Sequence, residues 1–86
     1  MTLSKEEQYK FKILWNLYAH RKWGASYTPI ENVTRGLPKD EIGACRAVVE
    51  QLVKDGILLF HKKRKCVSLN VRKKKEIMEF LERIIG

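Results

Sequence analysis

Eighty-six residues leave room for one small domain and exclude a cofactor domain set beside a substrate domain. Hydrophobic residues make up 44% and charged residues 33%, enough for a core, so a wholly disordered chain is excluded as well. Eighteen Lys and Arg against ten Asp and Glu give a net charge of +8, which points to a polyanionic partner.

Ser4-Lys5-Glu6-Glu7 has the form of a capping box, in which the Ser4 hydroxyl and the Glu7 carboxylate each accept from the other's amide. It opens a first helix whose Phe11, Leu14, Trp15 and Tyr18 recur at i, i+3, i+4 and i+7, the stripe expected to face the core. A second stripe, Tyr9, Ile13 and Leu17, runs along another side, and a monomer with one core does not need it. The pattern fades near Trp23-Gly24, and Ala25-Ser26-Tyr27 has the length of a brief strand. Thr28-Pro29-Ile30-Glu31 repeats the capping-box form, with proline where its missing amide is harmless. The short helix it opens carries Ile30 and Val33 inward and stops at Gly36.

Leu37-Pro38-Lys39-Asp40-Glu41 starts a third helix, with acidic residues where the helix dipole favours them. Ile42, Cys45, Val49, Leu52 and Val53 form its inward stripe, and Gly56 ends it. Its other side presents Asp40, Gly43, Ala44, Ala47, Glu50 and Gln51. Ile57 to His61 and Lys65 to Leu69 are β-rich runs that predict a two-stranded hairpin, with Ile57, Leu59, Val67 and Leu69 mainly inward. Asn70 caps a last helix over Val71 to Ile85, whose stripe is Ile77, Phe80, Leu81 and Ile84, widened by Met78 and Ile85.

The charge has an address. Lys62, Lys63, Arg64, Lys65, Arg72, Lys73, Lys74 and Lys75 fall within fourteen consecutive positions that hold no acidic residue. Ten basic and ten acidic residues remain elsewhere, so the rest of the chain is formally neutral. Catalytic chemistry has little to work with. His20 and His61 stand far apart with no nucleophile motif beside them, and the glycines are scattered and form no phosphate loop. Cys45 and Cys66 make neither a disulfide framework nor a zinc site and read as reduced, partly buried thiols. No cofactor, metal or small-molecule substrate is expected. The opening residues carry acid where a signal peptide is apolar, and no apolar run has membrane length, so a cytoplasmic protein without a membrane partner is expected.

Val48-Val49-Glu50-Gln51-Leu52-Val53-Lys54-Asp55-Gly56-Ile57-Leu58, Thr28-Pro29-Ile30-Glu31-Asn32-Val33 and the order of the elements carry a resemblance. The chain resembles the winged-helix family of helix-turn-helix DNA-binding domains, in its small archaeal or bacterial transcription-regulator form. The resemblance implies an α+β, mainly α fold: a winged helix over residues 1–70 with a three-helix core and a β-hairpin wing. Residues 71–86 then form an extra helix that packs on the first and dimerises. It also implies duplex DNA as partner. The wing (Lys62, Lys63, Arg64, Lys65) would lie on phosphates or a minor groove, and the third helix would offer Lys39, Gly43, Ala44, Arg46 and Ala47 to the major groove. Arg72, Lys73 and Lys74 would add backbone contacts at a helix N-terminus. Tyr9, Ile13 and Leu17 with Met78, Leu81 and Ile85 are assigned to a homodimer interface. Trp23 and Tyr27 stay open as surface contacts. Two other functions are compatible with the same pattern: a protein–protein module using the third helix, and an RNA-binding domain.

Overall fold

The computed structural model describes residues 3–86. In chain order it contains α1 (Lys5–Ala19), β1 (Thr28–Pro29), α2 (Ile30–Thr34), α3 (Lys39–Lys54), β2 (Leu58–His61), β3 (Cys66–Leu69), a 3-10 turn (Val71–Lys73) and α4 (Lys74–Ile85). The protein is α+β and mostly helical, with one antiparallel sheet in the order β1-β3-β2. No helix among the described residues is long and apolar enough to cross a membrane.

Local chemistry explains most boundaries. The Ser4 capping box forms, with the Glu7 amide 3.1 Å from the Ser4 hydroxyl and the Ser4 amide 3.3 Å from the Glu7 carboxylate. A cap of this kind contributes about 1 kcal/mol. α3 ends in a Schellman motif: the Gly56 amide donates to Val53 O at 3.0 Å and the Ile57 amide to Leu52 O at 2.9 Å. Gly56 supplies the left-handed turn this needs, at φ 79°. α1 ends the same way without a glycine. The Arg21 amide donates to Tyr18 O and the Lys22 amide to Leu17 O, with Arg21 itself at φ 54°.

Of the stripe expected inward on α1, only Leu14 is buried, and the second stripe supplies the rest of the core face. Tyr9, Ile13, Leu14 and Leu17 are buried, while Trp15 is 42% exposed and Phe11 and Tyr18 are only partly covered. Helical spacing predicts both stripes equally; shape and polarity choose between them. Branched aliphatics fit the seam shared with α3 and α4, and Tyr9 can be buried because its hydroxyl donates to Glu41 at 2.6 Å. The larger rings stay outside and stack on one another, with centroids 6.0 Å apart for Phe11–Trp15 and 5.7 Å for Trp15–Tyr18. Tyr9, Ile13 and Leu17 are therefore core residues and have no free surface for a second copy. Leu81 is corrected in the same way, since it closes the core from α4 with Ile77 and Phe80. Met78 is half-buried, and Ile85 is 58% exposed.

Three smaller expectations also change. Thr28 does not cap α2. It pairs with Val67 in β1, and its hydroxyl accepts from Asn32 Nδ2 at 2.8 Å, so the brief strand is Thr28–Pro29 and lies beyond Ala25-Ser26-Tyr27. Proline is tolerated there because β1 is an edge strand. In the hairpin Leu58 is buried and Leu59 only half so. Ile57 belongs to the turn leaving α3, so the strand alternation restarts at Leu58↔Leu69 and Phe60↔Val67. Asn70 caps the 3-10 turn, accepting from the Arg72 amide at 3.1 Å, and α4 proper begins at Lys74.

One core joins the four helices and the β2–β3 ribbon, from Leu14 on α1 to Val33, Val49, Leu58, Val67 and Ile77. The sheet face turned away from it is also covered. The Ser68 hydroxyl donates to Gly24 O at 2.8 Å, and the Tyr27 ring stacks on His61 at 4.6 Å.

Candidate nucleic-acid interface

The hairpin tip is built against backbone preference. Lys62, Lys63 and Arg64 take consecutive left-handed conformations, with φ of 52°, 55° and 70°. Each such L residue costs about 1–2 kcal/mol relative to a right-handed one, and the tip has no glycine or asparagine to relieve it. The Lys65 amide closes the loop on the carbonyls of His61 and Lys62, both at 3.2 Å. All four tip cations are exposed.

Two of these cations lie against rings on opposite sides of the ribbon. The Arg64 guanidinium sits 5.7 Å from the Phe60 centroid, and Lys62 Nζ sits 5.8 Å from that of Tyr27. Phe60 and His61 point to opposite faces, as consecutive strand residues must, and Tyr27 covers His61. The Arg64 side opens towards α3. There Ile30, Arg46, Val49, Glu50, Phe60 and Arg64 line a groove of about 240 Å³ that brings a cation of the third helix to a cation of the hairpin.

The outer face of α3 is open. Lys39, Gly43, Ala44, Arg46 and Ala47 are all exposed, and a Cβ added at Gly43 would meet no atom within 4 Å. Of the acidic residues nearby, Glu41 is turned aside. It accepts from Tyr9 and pairs with Lys5 Nζ at 2.8 Å, and these two donors hold its carboxyl below the usual carboxylate range. The same contacts raise the Lys5 ammonium and Tyr9 hydroxyl values, because each proton is held against the Glu41 carboxylate. Gln51 is occupied too, donating to Asp55 at 3.0 Å. Asp40 and Glu50 stay exposed, Glu50 in the groove beside Arg46.

The second basic cluster is not brought to the hairpin tip. The four residues of β3, at about 3.3 Å each, separate Lys65 from Asn70, so Arg72, Lys73 and Lys74 sit at the other end of the ribbon. Lys73 is paired with Glu76 at 3.5 Å, and Lys74 lines a groove with Tyr18, Arg21, Trp23 and Met78. Arg72 and Lys74 carry no carboxylate partner among the described residues.

Proximity in space adds residues that the linear pattern did not offer. Phe60 and Tyr27 hold the tip cations, and Ile30 and Val49 floor the groove beside Arg46. A further set, Lys12, His20, Lys22 and Arg35, converges from three parts of the chain. Lys12, Asn16 and His20 recur at i, i+4 and i+8, a polar stripe that was legible beside the apolar ones. Compared with protein-family models, with curated proteins and with solved structures, the chain matches none.

Proposed function

We propose that this is a winged-helix DNA-binding protein, a small transcription regulator or general DNA-binding protein, that holds duplex DNA between its hairpin wing and its third helix. One observation carries the reading. Four exposed cations crown a hairpin whose backbone is strained to present them, and one of them shares a groove with Arg46 of α3. Phosphate contacts from Lys62, Lys63, Arg64 and Lys65 position the protein, and the small residues Gly43, Ala44 and Ala47 let α3 approach base edges. Such binding falls with salt, log affinity dropping by about 0.9 per unit log salt for each phosphate neutralised. Titration of labelled duplex DNA at several salt concentrations tests it, comparing the wild type with the quadruple alanine variant of Lys62 to Lys65. A flatter slope in the variant supports the reading, and an unchanged slope removes the wing from it. Duplex RNA in parallel tests the RNA reading.

The partner-module reading has its own support in a groove of about 360 Å³ between α1 and α3, lined by Glu6, Tyr9, Ala44, Ala47, Val48 and Gln51. It carries no cation. Absence of salt-dependent DNA binding would favour it.

The homodimer belongs to the same proposal, with a changed surface. The ladder of exposed Trp15 between half-buried Phe11 and Tyr18, with Met78 beside Tyr18, replaces the buried stripe as the face a second copy covers. α1 begins acidic at Glu6 and Glu7 and is followed by Arg21 and Lys22, so an antiparallel two-fold pairing sets unlike charges together.

A further inference from the structure

A cleft of about 480 Å³ lies between the C-terminal half of α1 and the β1–α2 segment, and no tip cation lines it. Its charged lining is Lys12 and His20 from α1, Lys22 from the turn that follows, and Arg35 from the end of α2. Asn16, Thr28 and Asn32 complete it, and no carboxylate and no Phe, Tyr or Trp is among the lining residues. Among the described residues Lys12, Lys22 and Arg35 have no carboxylate within ion-pair distance. Glu31 is the acid adjacent in the chain, and it is exposed and pairs with none of them. Three fixed cations and an imidazole are gathered without a counter-charge, and the chain holds no acidic residue between Glu7 and Glu31.

The lining is also held in place. Asn32 Nδ2 donates to Thr28 Oγ1 at 2.8 Å, and Arg35 Nη2 donates to Asn32 Oδ1 at 3.1 Å, which leaves the rest of the guanidinium fork unengaged among the described residues. His20 Nδ1 donates to the Asn16 carbonyl at 2.8 Å, which sets the orientation of the ring. The backbone of Lys22 is pinned twice, its amide donating to Leu17 O and its carbonyl accepting from the Leu69 amide, both at 2.8 Å. Arg21 takes a left-handed conformation to return Lys22 to this position.

We propose that this cleft is a phosphate-binding site separate from the hairpin, taking a ligand with two or more neighbouring phosphate groups. Its volume falls in the range of small-ligand sites, about 300–1,000 Å³, but its lining is polar and charged where most such sites are apolar. Three cations without a carboxylate favour oxygen-rich anions, and the Arg35 fork favours phosphate geometry. Neighbouring phosphates are offered both by soluble diphosphates and by a nucleic-acid backbone, and the two sources are separated by experiment.

The test is calorimetric titration of the full chain at low salt with inorganic pyrophosphate and, separately, with a short DNA duplex. Three proteins are compared: wild type, Lys12→Gln/Arg35→Gln, and the quadruple alanine variant of Lys62 to Lys65. Neither Lys12 nor Arg35 belongs to the core, and thermal melts confirm that each variant is folded. The expected result is pyrophosphate binding that the hairpin variant retains and the cleft variant loses by about tenfold or more. If the cleft variant instead weakens only duplex binding, the phosphates are those of the nucleic-acid backbone and the site stands. Pyrophosphate and duplex affinities both unchanged in the cleft variant would overturn the site, whatever the hairpin variant does to DNA binding.

Discussion

Lys63, the middle residue of the hairpin tip, has a φ of 55° between two other left-handed cations. Lys63→Gly removes a conformational penalty of about 1–2 kcal/mol, against which glycine's greater freedom in the unfolded chain costs about 0.5–1 kcal/mol. The net expectation is a gain of about 0.5–1 kcal/mol. For 86 residues the unfolding entropy scales to about 0.18 kcal/mol per degree, so the melting temperature should rise by roughly 3–6 °C. Lys63→Ala is the control, since it deletes the same charge and keeps the strain. Both variants should lose about one phosphate from the salt slope of duplex binding, but only the glycine variant should melt higher. Scanning calorimetry with a salt titration on the same samples reads both quantities. If the two variants melt together, at or below the wild type, the tip is not strained and the argument that its backbone is bent to present cations fails.

Gly43→Ala should stabilise the protein by up to about 1 kcal/mol, because the position is helical and an added methyl meets nothing; denaturant titration measures it. The same substitution should weaken duplex binding if α3 lies close to bases, which a parallel affinity measurement would show. Stability should fall in acid through Glu41. Its folded value is depressed, so its contribution is complete above the unfolded carboxylate value of about 4.3 and is lost as pH drops through the lower folded value; thermal melts of wild type and Glu41→Gln between about pH 6 and pH 2.5 should converge. Lys5 and Tyr9 are raised, so their part is complete below their unfolded values near about 10 and is lost only as pH rises above them. Trp15→Glu should lower the melting temperature, through lost stacking on Phe11 and Tyr18, and shift light-scattering mass from dimer to monomer; a wild type that is already monomeric refutes the aromatic face as a contact between copies.

Much of the fold was legible because local rules and tertiary packing agree. The Ser4 cap, the Cys45–Val49–Leu52 stripe of α3, its glycine stop at Gly56 and the hairpin each depend on neighbours a few residues away. α1 was misread because two stripes have the same period, and only the Glu41 carboxylate, thirty-two residues from Tyr9, decides that a tyrosine can go inside. Thr28 satisfies a capping rule and a strand rule at once, and pairing with Val67 decides for the strand. The hairpin cations could be read directly because they are contiguous. The cationic cleft could not, since Arg35 reaches Lys12 and Lys22 only through the fold. The aromatic partners of the tip were hidden for the same reason, since Tyr27 meets Lys62 across a distance in sequence.

The shortness of β1 has a consequence for assembly. Two residues make no strand on their own, and the partner of Thr28 is Val67, thirty-nine positions on. The loop between them contains α2, α3 and all of β2, so β1 joins a sheet that must already have an edge to receive it. Hydrogen exchange should therefore find the Ile30 amide, bonded to Lys65 O at 3.0 Å, opening before the amides of the β2–β3 ladder. Thr28 and Asn32 form a wall of the cleft, so that wall is expected to close after the β2–β3 ladder and to open before it.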